Sequence, residues 1–161
     1  MLEVPKQRAI RPVLKTALPA RVLNHDRDMA LTTLFFEDGE LRVPIIDSPI
    51  GSGVTVRIDA RDVSIALSRP MDVSITNRLP GEIAELIHLS PPYVRVTFNL
   101  GKTYLHALVT RESVERLALA PGVSAWVMIK AVAISDRELK PNLAPQPRPW
   151  PLDRKTNPRT R

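Results

Sequence analysis

The feature that most constrains the fold is a succession of short alternating apolar segments separated by turn signals. The clearest is Val54–Ala60, where apolar and polar residues alternate as in a half-buried β-strand. The pair Asp38-Gly39 separates two such segments and is typical of a β-hairpin. Many short strands divided by regular turns favour an antiparallel barrel, so the sequence predicts an all-β fold.

A lysine interrupts the most apolar segment of the second half. Residues 125–135 have the composition of a strand buried on both faces, and period-2 alternation puts Lys130 on the same side as Trp126 and Met128. A buried ammonium group is costly unless an anion or a hydrogen-bond acceptor meets it. Lys130 is therefore a candidate anion ligand, and a solvent-exposed lysine at a strand end is the alternative.

The segment before this strand predicts a short capped helix. Thr110 follows a strand-like run and precedes apolar residues at helical spacing, Val114 and Leu117. Thr110 is thus predicted as the N-cap, with Ser113 in the first turn. Hydroxyl groups and free N–H groups at this position suit a small oxyanion, and a simple surface cap is the alternative.

Taken together, these patterns resemble the Mop domain (TOBE type), the small β-barrel module of molybdate-binding proteins. The family motif S-x-R-N followed by Gly corresponds to Ser74-Ile75-Thr76-Asn77 and Gly81, the motif T-x-x-S to Thr110 and Ser113, and the I-K-A strand to Ile129-Lys130-Ala131. Residues 18–67 resemble the first half of the two-part domain that ends the ATP-binding subunit of molybdate ABC transporters. The resemblance implies tandem small OB-like antiparallel barrels, with a short helix in the second half.

The resemblance also implies a function, which is that of a regulatory and dimerisation domain in a molybdate or tungstate importer. Members of this family pair as dimers and hold the ligand at the junction between subunits. The implied oxyanion-binding residues are Ser74, Thr76, Asn77, Thr110, Ser113, Lys130 and the backbone at Ala131. Molybdate or tungstate is the implied ligand, without a cofactor, a metal ligand or a catalytic residue. The implied partners are a second copy of the chain, an ATPase core and a membrane permease, in the cytoplasm beside the inner membrane.

One position departs from the family motif, because Thr76 stands where the motif has Arg. Arg78, two residues further on, would share the face of Thr76 if this segment is extended. Losing a cation that faces a dianion costs on the order of 1.5–3 kcal/mol. The first alternative function is therefore a dimerisation scaffold that has lost oxyanion binding.

The closing segments of the two halves align with each other, which suggests an internal duplication. Residues 56–64 correspond to residues 128–135, and in this alignment Asp59 takes the place of Lys130. A carboxylate repels an oxyanion. We therefore expect a structural role for the first half and ligand binding in the second.

The net charge of +6 is concentrated at the two ends of the sequence. Residues 1–16 carry +3 and residues 136–161 carry +4, whereas residues 17–135 carry −1. An OB-like nucleic-acid-binding module using basic arms is the second alternative. Such a barrel usually carries its charge on the barrel face, so nucleic acid is not expected as a partner.

The predicted organisation is a linker or arm at 1–16, a first TOBE-like half at 17–70, a second Mop-like half at 71–135 and a Pro-rich, basic, disordered tail at 136–161.

The sequence contains no recognisable enzyme constellation. Gly51-Ser52-Gly53 lacks the Lys-Ser/Thr pair of a phosphate-binding P-loop, and there is no cysteine nucleophile. The three histidines lack the spacing of metal ligands. ATPase motifs are absent from the sequence, so we expect no enzymatic activity from this chain.

Overall fold

The computed structural model describes residues 13–134 and 139–141, which form mainly antiparallel strands. The strands are β1 (Lys15–Asp26), β2 (Leu31–Phe36), β3 (Gly39–Pro44), β4 (Gly53–Asp59), β5 (Val63–Ala66), β6 (Asn77–His88), β7 (Tyr93–Asn99), β8 (Tyr104–Thr110), β9 (Ser124–Ile129) and β10 (Leu139–Pro141). One α-helix, α1 (Arg111–Leu117), follows β8. Short 3-10 turns, Ala60–Asp62 and Ala131–Ala133, follow β4 and β9.

The strands form two five-stranded sheets around one core. The order in the first sheet is β10-β4-β1-β2-β3, and the order in the second is β5-β9-β6-β7-β8. Apolar side chains alternate along the strands, as Val54, Val56 and Ile58 do in β4, and their buried faces join into one hydrophobic cluster that includes both sheets. The predicted all-β fold of tandem OB-like barrels, with a helix in the second half, is confirmed.

The internal duplication is visible in matching irregularities of the two sheets. A β-bulge follows Val22 in the pairing of β1 with β2, and a second bulge follows Ile83 in the pairing of β6 with β7. Asp59 is the N-cap of the first 3-10 turn and Lys130 is the N-cap of the second. The predicted equivalence of Asp59 and Lys130 is therefore confirmed by their structural positions.

Each half completes its sheet with a strand from the other half of the sequence. β5 leaves the first half and pairs with β9, with Ile65 opposite Val127. β10 returns from the end of the second half and pairs with β4, with Leu139 opposite Val56. Because the exchange is reciprocal, a boundary at residue 70 divides the sequence but does not divide the two sheets.

The structure corrects three predicted details. β1 begins at Lys15, inside the segment predicted as an arm, because residues 15–21 pair with β4. The predicted disordered tail contains the strand β10, since the edge of β4 offers unpaired backbone groups to any extended segment beside it. The strand that contains Trp126 ends at Ile129 and alternates in burial, so it is not buried on both faces. The rest of the predicted arm and tail, at 1–12, 135–138 and 142–161, lies outside the described residues.

Candidate functional site

Lys130 is exposed at the end of β9, where the chain is still extended before the 3-10 turn. Trp126 and Met128, on the same side of β9, are half-buried on the outward face of the second sheet. The ammonium group of Lys130 is therefore in solvent and not in the core. This exposure agrees with the alternative of a solvent-exposed lysine at a strand end, and the role of Lys130 as an anion ligand stays a prediction.

Five of the predicted site residues lie at one end of the second sheet. Asn77 opens β6 and pairs with Ile129, the last residue of β9, so the segment before β6 lies beside the segment after β9. Ser74, Thr76 and Lys130 are exposed, and Ala131 is half-buried. This set is called the β6–β9 cluster, and its members are Ser74, Thr76, Asn77, Lys130 and Ala131.

Asn77 differs from the rest of the β6–β9 cluster because its side chain is buried and already bonded. Its exposure is 3%. Its Oδ1 accepts a hydrogen bond from the backbone N of Arg42 at 2.7 Å, and its Nδ2 donates to the carbonyl oxygen of Arg42 at 3.0 Å. The amide thus clamps the edge strand β3 of the first sheet, which is a structural role in addition to any contact with a ligand.

The remaining two predicted residues, Thr110 and Ser113, lie at the start of α1. The Thr110 Oγ1 accepts a hydrogen bond from the backbone N of Ser113 at 3.2 Å and donates to the Ser113 Oγ, also at 3.2 Å. The predicted N-cap is therefore confirmed. The partly buried side chains of Val114 and Leu117 pack α1 on the core, which holds this pair of hydroxyl groups in place.

The two sets of residues stand at opposite ends of β6. The β6–β9 cluster is at Asn77, where β6 begins. At the other end of β6, His88 pairs with Val94 of β7. Tyr93, the residue before Val94, pairs with Thr110 of β8, so Thr110 lies near the His88 end of the sheet. A single chain therefore does not bring the seven predicted residues into one site along the sheet.

Further cationic groups lie on the outward face beside the β6–β9 cluster. Arg78 pairs with Met128, and its Nη1 donates to the carbonyl oxygen of Pro70 at 3.1 Å. Arg69 lies over the Trp126 ring, with its Cζ 5.9 Å from the ring centroid. Residues 67–73 therefore form a strap across the outward face of the second sheet. The sequence indicated Arg78 only through its spacing from Thr76, and nothing in the spacing indicated the strap.

The counterpart of the β6–β9 cluster in the first half has different charges. Lys15 pairs with Asp59, and the Asp59 Oδ1 accepts a hydrogen bond from the backbone N of Arg61 at 2.9 Å. An ion pair with the Arg61 guanidinium, 3.4 Å from Asp59 Oδ2, adds to this contact. Lys130, at the equivalent position, makes no such cap with its side chain. The first half thus carries its own carboxylate where the second half presents an ammonium group.

A groove of about 320 Å³ lies in the first half, away from the predicted site residues. It opens between β10 and the segment that follows β3, and it is lined by Ile45, Ile46, Asp47, Ser48, Val54, Leu139, Lys140 and Pro141. Sequence reasoning missed this groove because one of its walls is β10, whose pairing with β4 is not local.

His106 has a perturbed pKa outside both sets of predicted residues. Burial, and then the positive charge of Arg95, lower the pKa of His106 below its ordinary value, while Glu85 acts in the opposite direction. The His106 Nδ1 lies 3.0 Å from the Thr97 Oγ1 across the β7–β8 pair. This histidine belongs to the barrel wall.

A metal centre and a membrane-spanning helix are both absent from the part of the chain that the structure describes. Within residues 13–134 and 139–141, no three His, Asp or Glu side chains are grouped so as to hold a metal ion. No helix in the same ranges has the length and apolar character needed to cross a membrane.

Two curled antiparallel sheets that exchange closing strands define a protein of tandem small OB-like barrels. Comparison with known families is more specific, because residues 73–135 match the model of the TOBE domain. The match to the TOBE domain thus lies in the second half of the chain. The β6–β9 cluster, Thr110 and Ser113 all fall within the matched residues.

Curated relatives of the chain are ATP-binding proteins named for molybdenum import. The chain is 38% identical over 117 residues to the molybdenum import ATP-binding protein ModC of Aromatoleum aromaticum, which is 73% of this chain and 31% of that relative. It is 40% identical over 114 residues to ModC 1 of Azotobacter vinelandii, which is 70% of this chain and 32% of that relative. The chain thus spans about a third of the length of these relatives.

A solved structure supports the fold independently. The cytoplasmic molybdate-binding protein ModG, in a crystal form with molybdate bound, superposes on the chain with a TM-score of 0.68. The match covers 83% of this chain and 100% of that chain, at 20% sequence identity. This likeness establishes the tandem-barrel fold.

Proposed function

We propose that the chain is a regulatory and dimerisation domain of a molybdate or tungstate importer. In this proposal it binds the tetrahedral oxyanion at the junction between two copies of the chain. The ATPase core and the membrane permease are its partners on the cytoplasmic side of the inner membrane, and the chain itself is not an enzyme. Its similarity to ModC and its fold likeness to molybdate-binding ModG support the choice of ligand.

The observation that carries the subunit-junction site is the separation of the predicted residues along β6. The β6–β9 cluster offers one ammonium group, two hydroxyl groups and backbone groups, whereas Thr110 and Ser113 lie at the other end of the strand. Two copies of the chain placed side by side can bring the cluster of one copy to the hydroxyl pair of the other. A dianion held there would stabilise the paired arrangement through charged hydrogen bonds, and such differential affinity is what regulation requires.

The alternative function, a scaffold that dimerises without oxyanion, is favoured by two observations in the β6–β9 cluster. Thr76 supplies a hydroxyl group where the family motif has a guanidinium, and the Asn77 amide is engaged with Arg42. The cluster would then contribute shape and pairing, without measurable affinity for an anion. The two functions make different predictions for a titration.

Isothermal titration of the purified chain with sodium molybdate tests the proposal, with sodium sulfate as the competing oxyanion. Micromolar or tighter binding that disappears in Lys130→Ala supports the site. Lys102→Ala is the matched control, because Lys102 is an exposed lysine whose ion-pair partner is Glu37 in the β2–β3 turn. Flat heats from a chain that is still dimeric by light scattering would refute oxyanion binding and leave the scaffold function.

A complementation experiment tests whether the site lies between subunits. Lys130→Ala and a Thr110→Ala/Ser113→Ala double variant are each expected to lose binding. An equimolar mixture, unfolded and refolded together, is expected to recover about half of the dimers as mixed pairs with one intact site. Since removing the Thr110 cap costs roughly 0.5–2 kcal/mol, thermal melts must first show that the double variant is folded. A mixture of folded variants that binds no molybdate would contradict the intersubunit arrangement.

A further inference from the structure

Arg78 lies on the outward face of the second sheet beside the predicted oxyanion cluster. β6 is extended from Asn77 onward, and the burial pattern alternates, with Asn77 and Leu79 buried and Arg78 exposed. Thr76, the residue before the strand, is exposed like Arg78. The extended geometry therefore places Thr76 and Arg78 on one face, where residues two apart in an extended segment point the same way.

The register of β6 against β9 also places Arg78 next to Lys130. Arg78 pairs directly with Met128, and Lys130 follows Met128 by two residues in a chain that is still extended. Residues in this diagonal relation have Cα atoms roughly 7–8 Å apart, within reach of long side chains. Lys130 alone supplies one positive charge, whereas the proposed ligand carries two negative charges.

The guanidinium of Arg78 is also oriented by the strap. Its Nη1 donates to the carbonyl oxygen of Pro70, which is the buried residue in the middle of the strap. This bond uses one of the five N–H groups of the guanidinium, and the fork geometry of the remaining groups suits oxyanion oxygens. An arginine fixed by one hydrogen bond loses less conformational freedom on binding a ligand than a free one.

We infer that Arg78 is a ligand-binding residue of the oxyanion site and acts together with Lys130. The inference rests on the proposed function, since it names a second cation for the same site. It assigns to Arg78 the cationic role that Thr76 cannot fill. The strap is then linked to the ligand through Arg78, because the same side chain holds Pro70.

Four variants test the inference by molybdate titration and thermal melting: Arg78→Gln, Thr76→Arg/Arg78→Gln, Thr76→Arg and Arg69→Gln. Arg78→Gln is expected to weaken molybdate binding roughly ten- to hundredfold, the range for a lost charged hydrogen bond. Thr76→Arg/Arg78→Gln is expected to recover most of this affinity, because it returns a cation to the same face. Arg69→Gln, a change of the same kind within the strap, is expected to bind as the wild type does.

Melting temperature separates ligand binding from support of the strap. Arg78→Gln removes the bond to Pro70, and Thr76→Arg does not replace it, so the double variant is expected to recover affinity without recovering melting temperature. If affinity and melting temperature fall together and neither recovers, Arg78 only holds the strap and the inference is wrong. Wild-type affinity in Arg78→Gln also overturns it, while the proposed function stands. A wild-type chain that binds no molybdate refutes the proposed function, and this inference with it.

Discussion

Asn77→Ala is the substitution whose effect follows most directly from the structure. The Asn77 amide makes two hydrogen bonds with the main chain of Arg42, at 2.7 and 3.0 Å, and is 3% exposed. These bonds join the first residue of β6 in the second sheet to the edge strand β3 of the first. Replacing the amide with a methyl group leaves a backbone donor and a backbone acceptor of a half-buried strand without partners.

The size of the effect can be worked out from those two bonds. A hydrogen bond contributes roughly 0.5–1.5 kcal/mol net, and a buried polar group left unpaired costs roughly 1–3 kcal/mol. Because Arg42 is half-buried and water can reach part of it, we expect Asn77→Ala to lower the free energy of unfolding by about 2–4 kcal/mol. For a chain of this size each kcal/mol lowers the melting temperature by about 2–4 °C, so the total decrease is roughly 4–16 °C.

Urea unfolding followed by circular dichroism measures this change. Asn99→Ala is the matched control, since the Asn99 side chain accepts a single hydrogen bond from the backbone N of Gly101 in an exposed turn, at 2.8 Å. Its expected cost is about 0.5–1.5 kcal/mol. Equal costs for Asn77→Ala and Asn99→Ala would refute the reasoning, because the clamp between the sheets would then contribute no more than a surface turn.

Three further substitutions test other parts of the fold. Gly81→Ala is expected to lower the free energy of unfolding in urea by about 1–3 kcal/mol. The new Cβ would lie 2.8 Å from Leu100 Cδ2 and 3.2 Å from a carbonyl oxygen of β7. A decrease of less than about 0.5 kcal/mol would contradict this reasoning. Burial, and then the charge of Arg95, lower the pKa of His106 from its ordinary value of 6.5. Below that pH the native protein therefore binds fewer protons than the unfolded chain does. The contribution of His106 to stability is then fully present above pH 6.5 and is lost as the pH decreases below it. His106→Gln should reduce that acid-side loss, and an unchanged stability profile between pH 7 and 5 would contradict the assignment. Leu139→Ala is expected to cost about 1–2 kcal/mol, because the half-buried Leu139 packs on the core from β10; unchanged stability would mean that β10 contributes nothing to the fold.

Local patterns predicted most of the fold because they depend on neighbours in the sequence. The alternation of Val54, Val56 and Ile58 identified β4, and the Thr110 hydroxyl was found capping α1 as expected. The exchange of β5 and β10 between the halves could not be predicted in the same way. Which sheet a short strand joins depends on the edge that is free in the folded molecule, and β10 lies near the start of a Pro-rich segment whose composition indicated disorder.

The candidate site shows the same limit more sharply. The bond between Asn77 and Arg42 joins residues 35 positions apart, so no spacing rule could show that this amide is already engaged. Whether Arg78 could share a face with Thr76 depended on an extended backbone, which only the structure provides. The distance between the β6–β9 cluster and Thr110 along β6 likewise required the strand register.

The duplication allows one last prediction, which concerns the number of oxyanions per chain. The two halves share their bulges, their 3-10 turns and their exchanged strands, so their equivalent positions can be compared directly. In the first half the carboxylate of Asp59 stands where the second half has Lys130, and it already accepts hydrogen bonds from Arg61. A dianion brought to that position would meet a like charge, so titration should saturate at one molybdate per chain, or two per dimer. Lys130→Asp, which copies the arrangement of the first half into the second, should abolish binding. A stoichiometry of two per chain would show that Asp59 does not exclude the ligand, and the charge difference between the halves would then not determine where the oxyanion binds.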